Sequence, residues 1–322
     1  MKVDGFRSDK VLSLAVSVLT FMALVVVPAT GSAAVSTPKQ KAFASAEDAV
    51  SAFMTALKDH NKKELSAVFG PAMSELSSGD EVSDRADREW FIKAYEDKNF
   101  LEKKDDGVAI LQVGSDNWPF PIPIVKKGSA WSFDTEAGKE EMLNRRIGRN
   151  ELGVIEVMHG YVNAQRQYAT RDREGGGSYP YAQRIMSTPG KKDGLYWEAK
   201  KGEEESPAGP FVAKAAREGY RKPKTDNPSP FHGYYFRILT SQGDYAQGGA
   251  YDYVINGNMV LGFGLIAYPA KYGASGIMTF IVNQQGVVYQ KDLGRNTGKA
   301  AASIKTYNPD STWKRVERTD GQ

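Results

Sequence analysis

Histidine is the side chain best suited to acid–base and metal chemistry near neutral pH, and this chain has three, His60, His159 and His232. No two of them stand at the short spacing with which a helix presents two imidazoles to one metal ion. His232 is the strongest candidate for acid–base work, because it opens a predicted strand beside loops. Isolated histidines more often have structural or surface roles, and the sequence predicts no metal site.

Two segments of this chain partly match a nucleophile motif and a phosphate-binding motif, but neither match is complete. The segment Gly-Ala-Ser-Gly at residues 273–276 departs from the G-x-S-x-G spacing, and a strand is predicted after it where that motif needs a helix. Residues 294–300 fail the phosphate-loop pattern in both spacing and final residue. The chain contains no cysteine, which excludes thiolate nucleophiles, disulfides and iron–sulfur clusters. The sequence therefore predicts no catalytic residue and no cofactor.

Three arginines and a glutamate, Arg145, Arg146, Arg149 and Glu151, form a dense charged group within a predicted helix. Arg145 and Arg149 are four residues apart, as are Glu141 and Arg145, so a helix places them along one side. One interpretation is a salt-bridged helix surface, which stabilises a helix only slightly. Another is that the arginines hold two domains together through bidentate hydrogen bonds. A direct role in ligand binding stays open as a third interpretation.

Trp118 and Phe120 alternate with prolines at positions 119, 121 and 123. Alternate prolines lack the N–H on one side of a strand, which confines the segment to a sheet edge or an extended polyproline-like run. The aromatic side chains either turn inward while the prolines protect the edge from aggregation, or they form an exposed apolar edge for a partner. Both residues are therefore candidate interaction residues.

Two helix-then-sheet stretches must position these residues. Residues 43–133 have the pattern of short helices followed by strands. Residues 136–169 carry a long helical stripe that glycines interrupt. Either the helix breaks near Gly148, where one domain passes to the next, or the glycines let it lie close against a sheet. Residues 231–293 alternate aromatic and β-branched residues with glycine turns, and Asn-Gly at 256–257 is the strongest hairpin signal.

The predicted fold class is α+β. A small domain of helices and a curved antiparallel sheet is followed by a long helix packed on an antiparallel sheet. The length of 322 residues, with 41% hydrophobic and 25% charged residues, fits about two folded domains. We expect them at residues 43–147 and 148–316, with a linker at 35–42 and a tail at 317–322. The net charge of +3 is too small to indicate a nucleic-acid partner.

The N-terminus has the pattern of a cleavable signal peptide. A basic segment precedes an apolar run at residues 11–27, and small residues follow. We expect cleavage near Ala33 or Ala34, which removes residues 1–34 and places the protein in the periplasm or outside the cell. The remaining chain has no second apolar run of membrane-spanning length, so we expect no transmembrane segment. An uncleaved anchor is the alternative, because the first run almost reaches that length.

Five segments carry a likeness to known proteins. They are RRIGRNE (145–151), YVNAQRQYA (161–169), DGLYW (193–197), GYYFRIL (233–239) and YPAKYGASGIMTFIVNQQGVVYQKDLG (268–294). They resemble a family of secreted bacterial proteins classed only as a domain of unknown function. The resemblance implies secretion and brings no catalytic residue or cofactor. Members are often encoded beside another secreted protein, which implies a partner in the envelope.

Two further likenesses concern architecture. Helices followed by a hairpin with a tryptophan in its last strand, within residues 42–135, resemble the nuclear-transport-factor-2-like domains. A long helix ending in Q-x-x-Y-A, followed by an antiparallel sheet, resembles the globular part of type IV pilins and pseudopilins. The ordinary signal peptide and the preceding domain argue against filament assembly, because a shared fold does not fix function.

These observations favour a non-enzymatic envelope protein that binds another secreted protein or a cell-surface component. The first alternative is a hydrolase-type envelope enzyme, whose Asp, Glu, His and Tyr side chains converge from distant loops. The second is a pseudopilin-like secretion component. A deep cleft lined by acidic and aromatic side chains would favour the enzyme, and an exposed apolar patch would favour binding. The sequence leaves the oligomeric state open.

Overall fold

The computed structural model describes residues 40–104, 107–172, 177–220 and 229–317. The predicted signal peptide, and most of the predicted linker and tail, lie outside the described residues. These described residues belong to one compact unit that combines helices with antiparallel sheets. The predicted α+β class is therefore confirmed, while the division at residues 147 and 148 stays a prediction.

Six α-helices and a short 3-10 helix are formed by the described residues. They are α1 (Ala46–Lys58), α2 (Lys62–Phe69), the 3-10 helix (Pro71–Leu76), α3 (Glu81–Asp97), α4 (Thr135–Tyr168), α5 (Gly209–Arg217) and α6 (Thr297–Ser303). Side-chain caps explain where four of them begin, because an oxygen of Ser45, Asn61, Asp80 or Asp134 accepts N–H groups of the first turn. None of these helices is both long and apolar enough to cross a bilayer.

The first sheet lies between α3 and α4 in the chain. Its strands are β1 (Asn99–Lys104), β2 (Val108–Val113), β3 (Trp118–Pro119), β4 (Ile124–Lys127) and β5 (Ala130–Phe133). They are antiparallel in the order β1-β2-β4-β5, and β3 also pairs with β2. The proline-bearing segment thus contributes only two residues to the ladder before it leaves it, as expected where alternate N–H donors are missing.

Phenylalanine side chains fill the core between this sheet and the first helices. Phe53 of α1 lies at the centre, with ring centroids 5.0 to 5.7 Å from those of Phe69, Phe91, Phe120 and Phe133. All five are buried, and each contributes about 1.5–3 kcal/mol by leaving water. Phe120 is therefore a core residue, and it forms no part of an exposed apolar edge.

Helix α4 runs without interruption through Gly148, so the alternative of a break there is wrong. A second glycine of this helix has a packing role instead. A Cβ atom at Gly160 would stand 1.9 Å from Cζ of Phe211, so the ring of α5 lies directly against the α4 backbone. At Gly160 the glycine thus allows a close contact between two helices. Helix propensity alone cannot distinguish such a glycine from one that breaks a helix.

The second half of the chain forms one larger sheet and two small ribbons. Its strands are β6 (Tyr234–Leu239), β7 (Ser241–Gln242), β8 (Tyr251–Asp252), β9 (Val254–Ile255), β10 (Asn258–Met259), β11 (Gly264–Pro269), β12 (Met278–Asn283), β13 (Tyr289–Asp292) and β14 (Lys314–Arg315). The larger sheet is antiparallel in the order β14-β13-β12-β11-β6, and β7–β8 and β9–β10 form the ribbons.

This larger sheet is buried on both faces at its centre. Leu265 and Ala267 of β11 belong to the core that includes Val154 and Met158 of α4, whereas Ile266 packs in a separate core with Ala301 of α6. The strand therefore alternates between two cores, as its pleat requires. The predicted Asn-Gly hairpin is confirmed, because residues 256 and 257 join β9 to β10 with φ angles of 50° and 85°.

Candidate functional site

Two arginines of α4 tie this helix to the elements before it. Arg146 donates from Nη1 to the carbonyl oxygen of Leu76, and its Nη2 lies 3.9 Å from Oδ1 of Asp84. Arg149 donates from Nη2 to Oδ2 of Asp87 at 2.7 Å. Both contacts reach the 3-10 helix or α3, but through single donors and not through the bidentate forks that the sequence suggested.

The next two residues of α4 face the second half of the chain. Buried Asn150 donates to the carbonyl oxygen of Ser275 at 2.9 Å. Oε1 of Glu151 accepts the backbone N–H groups of residues 277 and 278, each at 2.9 Å, and lies 3.4 Å from the hydroxyl of Tyr234, which also donates to the carbonyl oxygen of Met278 at 3.0 Å. Burial, and then the charge of Glu151, raises the pKa of Tyr234, which therefore stays a donor. Glu151 is thus a structural acceptor that fixes the start of β12.

Asp80 is a buried carboxylate, only 1% exposed, that accepts four hydrogen bonds. Its Oδ1 accepts the N–H groups of Val82 and Ser83 at 3.1 Å each, which caps α3. Its Oδ2 accepts the hydroxyl of Tyr220 at 2.8 Å and the N–H of Gly233 at 2.9 Å. Sequence reasoning missed this residue, because two of its donors lie 140 and 153 positions away.

His232 lies beside this carboxylate, in the left-handed region at φ 50°. Its backbone N–H donates to the hydroxyl of Tyr220 at 3.2 Å, and its Nε2 is 3.2 Å from Oε2 of Glu218. Burial lowers the pKa of the imidazole, and the charge of Glu218 opposes this only in part. Burial, and then the hydrogen bond to Asp80, raises the pKa of Tyr220. A histidine, a glutamate and a tyrosine thus converge here, with Glu218 and Tyr220 at the end of α5 and His232 just before β6.

The described residues form clefts of about 220 and 340 Å³, and His232 lines neither of these two. The smaller is lined by His159, Val162, Asn163, Arg166, Gln285 and Gly286. His60 is exposed in the turn after α1. Within the described ranges, no group of three or more histidine or acidic side chains is arranged to hold a metal ion.

Two tryptophans form an exposed aromatic corner where α3, β3 and α4 meet. The Trp90 side chain is 52% exposed, and its ring centroid lies 5.3 Å from that of half-buried Trp118, with the planes at 87°. The guanidinium of Arg145 lies 5.1 Å above the Trp118 ring, within the range of a cation–π contact. Its Nη1 also donates to the carbonyl oxygen of Pro119 at 3.2 Å.

Two ion pairs lie next to this corner. Arg145 donates from Nε to Glu141 at 2.6 Å, and Arg149 to Asp87 at 2.7 Å, with all four side chains partly exposed. We call this group of side chains the tryptophan–arginine surface: Asp87, Trp90, Trp118, Glu141, Arg145 and Arg149. Its two guanidinium and two carboxylate charges sum to zero.

The structure thus separates the residues that the sequence proposed together. Trp118, Arg145 and Arg149 meet on one surface, Arg146 and Glu151 are internal ties, and Phe120 is in the core. Trp90 was not proposed, because it neighbours Phe91 in a helical apolar stripe that is typical of a core face. In the structure Trp90 is exposed, whereas its neighbour Phe91 packs in the core.

Comparisons with known proteins give a family but no further relative. Neither the curated proteins nor the solved structures contain a match, so the likenesses to nuclear-transport-factor-2-like domains and to pilins stay predictions. One family model, described as Protein of unknown function (DUF2950), matches residues 40–316. The match covers most of the chain, including both sheets and the tryptophan–arginine surface, and the chain therefore belongs to the DUF2950 family.

Proposed function

We propose that this protein is a secreted, non-enzymatic component of the bacterial envelope that binds another secreted protein or a cell-surface component through the tryptophan–arginine surface. The observation that carries the proposal is the exposed indole of Trp90 resting on Trp118. One exposed apolar residue is ordinary. An exposed indole backed by a second indole and bordered by ordered arginines is the composition of a binding site.

The arginines of this surface are held in place before any partner arrives. Arg145 has hydrogen bonds to Glu141 and to the carbonyl oxygen of Pro119, and it also stacks on Trp118. A side chain that is already ordered loses little conformational freedom when it binds. The geometry therefore favours binding over a purely solvating role for these charges.

The side chains suited to acid–base chemistry also support the proposal, because they have structural roles. Asp80 and Glu151 accept backbone N–H groups that would otherwise be buried without partners. His232 lies beside Asp80 and lines neither cleft. These groups hold elements together, which favours a binding module over the enzyme alternative.

Secretion is supported by the sequence pattern of the N-terminus. The basic segment, the apolar run and the small residues before Ala33 and Ala34 form the order of a cleavable signal peptide. These residues lie outside the described part of the chain. Fractionation of the native bacterium should place the protein in the periplasm or the medium, with a mature N-terminus near Val35.

The direct test compares two exposed aromatic residues in envelope binding. The full chain and its W90A and Y245A variants are incubated with envelope fractions of the native bacterium and sedimented. Tyr245 is 67% exposed and belongs to the loop between β7 and β8, outside the tryptophan–arginine surface, so its variant is a matched control. We expect W90A to reduce sedimentation and Y245A to leave it unchanged. Equal sedimentation of all three, or a turnover that H232A abolishes with folding intact, would overturn the proposal.

A further inference from the structure

The tryptophan–arginine surface is suited to a ligand that is flat and apolar on one side, rich in hydroxyl groups and without net charge. We infer that its ligand is a neutral glycan chain. The inference rests on the proposed function, and it narrows a cell-surface component to one chemical class. Three features of the surface support it: the shape of the aromatic corner, the balance of charges around it and its extended form.

The aromatic corner offers a flat apolar face of the size of one sugar ring. Trp90 is 52% exposed, and its edge-to-face contact with the Trp118 ring, at 5.3 Å and 87°, restrains the first indole. The C–H groups on one face of a pyranose ring carry partial positive charge, and an indole face is electron-rich. Stacking of a sugar on Trp90 thus buries apolar area on both partners and leaves the hydroxyl groups at the ring edge.

The charges around the corner fit hydroxyl groups better than ions. Arg145 and Arg149 supply N–H donors, and Glu141 and Asp87 supply carboxylate acceptors, so both kinds of hydrogen-bonding group border the indoles. A hydroxyl group donates and accepts, and it can pair with either. A polyanion would meet the two carboxylates, and a polycation the two guanidinium groups, whereas a neutral chain meets no repulsion.

The surface also continues as a row of exposed side chains along α4. Glu141, Arg145, Arg149 and the 69% exposed Leu152 follow one another at spacings of three and four along α4, over about 16 Å of helix. Several sugar rings in succession could follow this row. A folded protein partner needs a broader face, about 800 Å² on each side, than one exposed indole between two ion pairs provides.

The test measures binding of the full chain to soluble neutral oligosaccharides, namely chitohexaose, cellohexaose and maltohexaose, by isothermal titration and tryptophan fluorescence. We expect at least one of them to bind and W90A to weaken it about tenfold or more. W90F keeps an aromatic face and should retain much of the affinity, and Y245A should bind like the wild type. Circular dichroism checks that the variants are folded.

Salt and charged polymers supply the second arm of the test. Because the ligand is neutral, its affinity should change little between about 0.05 and 0.5 M NaCl. Preference for dextran sulfate or polylysine, with loss of binding in salt, would overturn the inference, as would no binding to any of the three oligosaccharides or equal binding by W90A. If W90A still abolishes envelope sedimentation in that case, the proposed function stands and a protein ligand replaces the glycan.

Discussion

At the scale of single residues, buried Asp80 accepts hydrogen bonds from two parts of the chain. Two of its donors belong to the first turn of α3, and two come from Tyr220 and Gly233, far along the sequence. A carboxylate that is almost fully buried is tolerated in a protein interior when hydrogen-bond donors satisfy its oxygens in this way. It follows that Asp80 stabilises more than the helix it caps.

Replacement of Asp80 by alanine should lower the free energy of unfolding by about 2–4 kcal/mol. Loss of a helix cap costs about 0.5–2 kcal/mol, and buried donors left without an acceptor cost about 1–3 kcal/mol. The measurement is urea denaturation followed by circular dichroism. Ser45, the N-cap of α1, is the control, because S45A removes an exposed cap alone and should cost about 1 kcal/mol. Equal losses in the two variants would show that the long-range bonds of Asp80 contribute nothing.

The pKa of His232 predicts how stability depends on pH. Burial lowers this pKa in the folded chain, so the unfolded chain binds more protons below its own value of about 6.5. The stability linked to His232 is therefore complete above that pH and is lost as the pH falls below it toward the folded pKa. In H232N, asparagine tolerates the positive φ and does not titrate. We expect H232N to lose less stability than the wild type between about pH 7.5 and 5.

The measurement is the free energy of unfolding at a series of pH values for the two proteins. If the wild type instead loses less stability than H232N on acidification, then the charge of Glu218, and not burial, controls the pKa of His232. The comparison uses the difference between the two proteins, because carboxylates elsewhere titrate in both.

At the scale of elements, α4 carries two glycines with opposite surroundings. A Cβ at Gly160 would stand 1.9 Å from the Phe211 ring, whereas a Cβ at Gly148 would meet no described atom within 4 Å. Alanine is favoured over glycine in a helix by about 1 kcal/mol at either position. The contact with α5 therefore decides how alanine substitution at Gly160 differs in its effect on stability from substitution at Gly148.

G160A should be destabilised by about 1–3 kcal/mol, because the methyl group displaces the Phe211 ring and with it α5. G148A should gain up to about 1 kcal/mol, since only the helix preference changes. Urea denaturation of both variants gives the comparison. A stabilised G160A would show that α5 does not rest on α4 at this position.

The elements could be predicted from the sequence to the extent that local pattern decides them. Periodicity located the long helix, and Asn-Gly located the hairpin at residues 256–257, because both signals lie within a few residues. Continuity of α4 through Gly148 could not be predicted, since the pattern does not show what a glycine packs against. The four partners of Asp80, and the exposure of Trp90 beside buried Phe91, depend on contacts between distant elements, and no local pattern records those.

At the scale of the whole molecule, α4 is shared by both halves of the chain. Its first half contacts the 3-10 helix and α3 through Arg146 and Arg149, and its second half packs on β11 and β12. Asn150 and Glu151 are hydrogen-bonded to the loop before β12 and to its first residue. The described part of the chain thus belongs to one compact unit.

A single unfolding transition is expected from this arrangement. Tryptophans lie in both halves, so fluorescence reports on each, and circular dichroism reports on all the helices. The two signals should change at the same urea concentration. Two separate transitions would show that the halves are independent domains in spite of the shared helix, as the sequence pattern suggested.

Binding to the envelope, as proposed here, covers the tryptophan–arginine surface. Oxidative footprinting of the wild-type chain, with and without envelope fractions of the native bacterium, tests this without any mutation. We expect Trp90 to become protected from oxidation while Tyr245, which is 67% exposed against 52% for Trp90 in the free protein, stays reactive. Unchanged oxidation of Trp90, with or without protection of Tyr245, would contradict it.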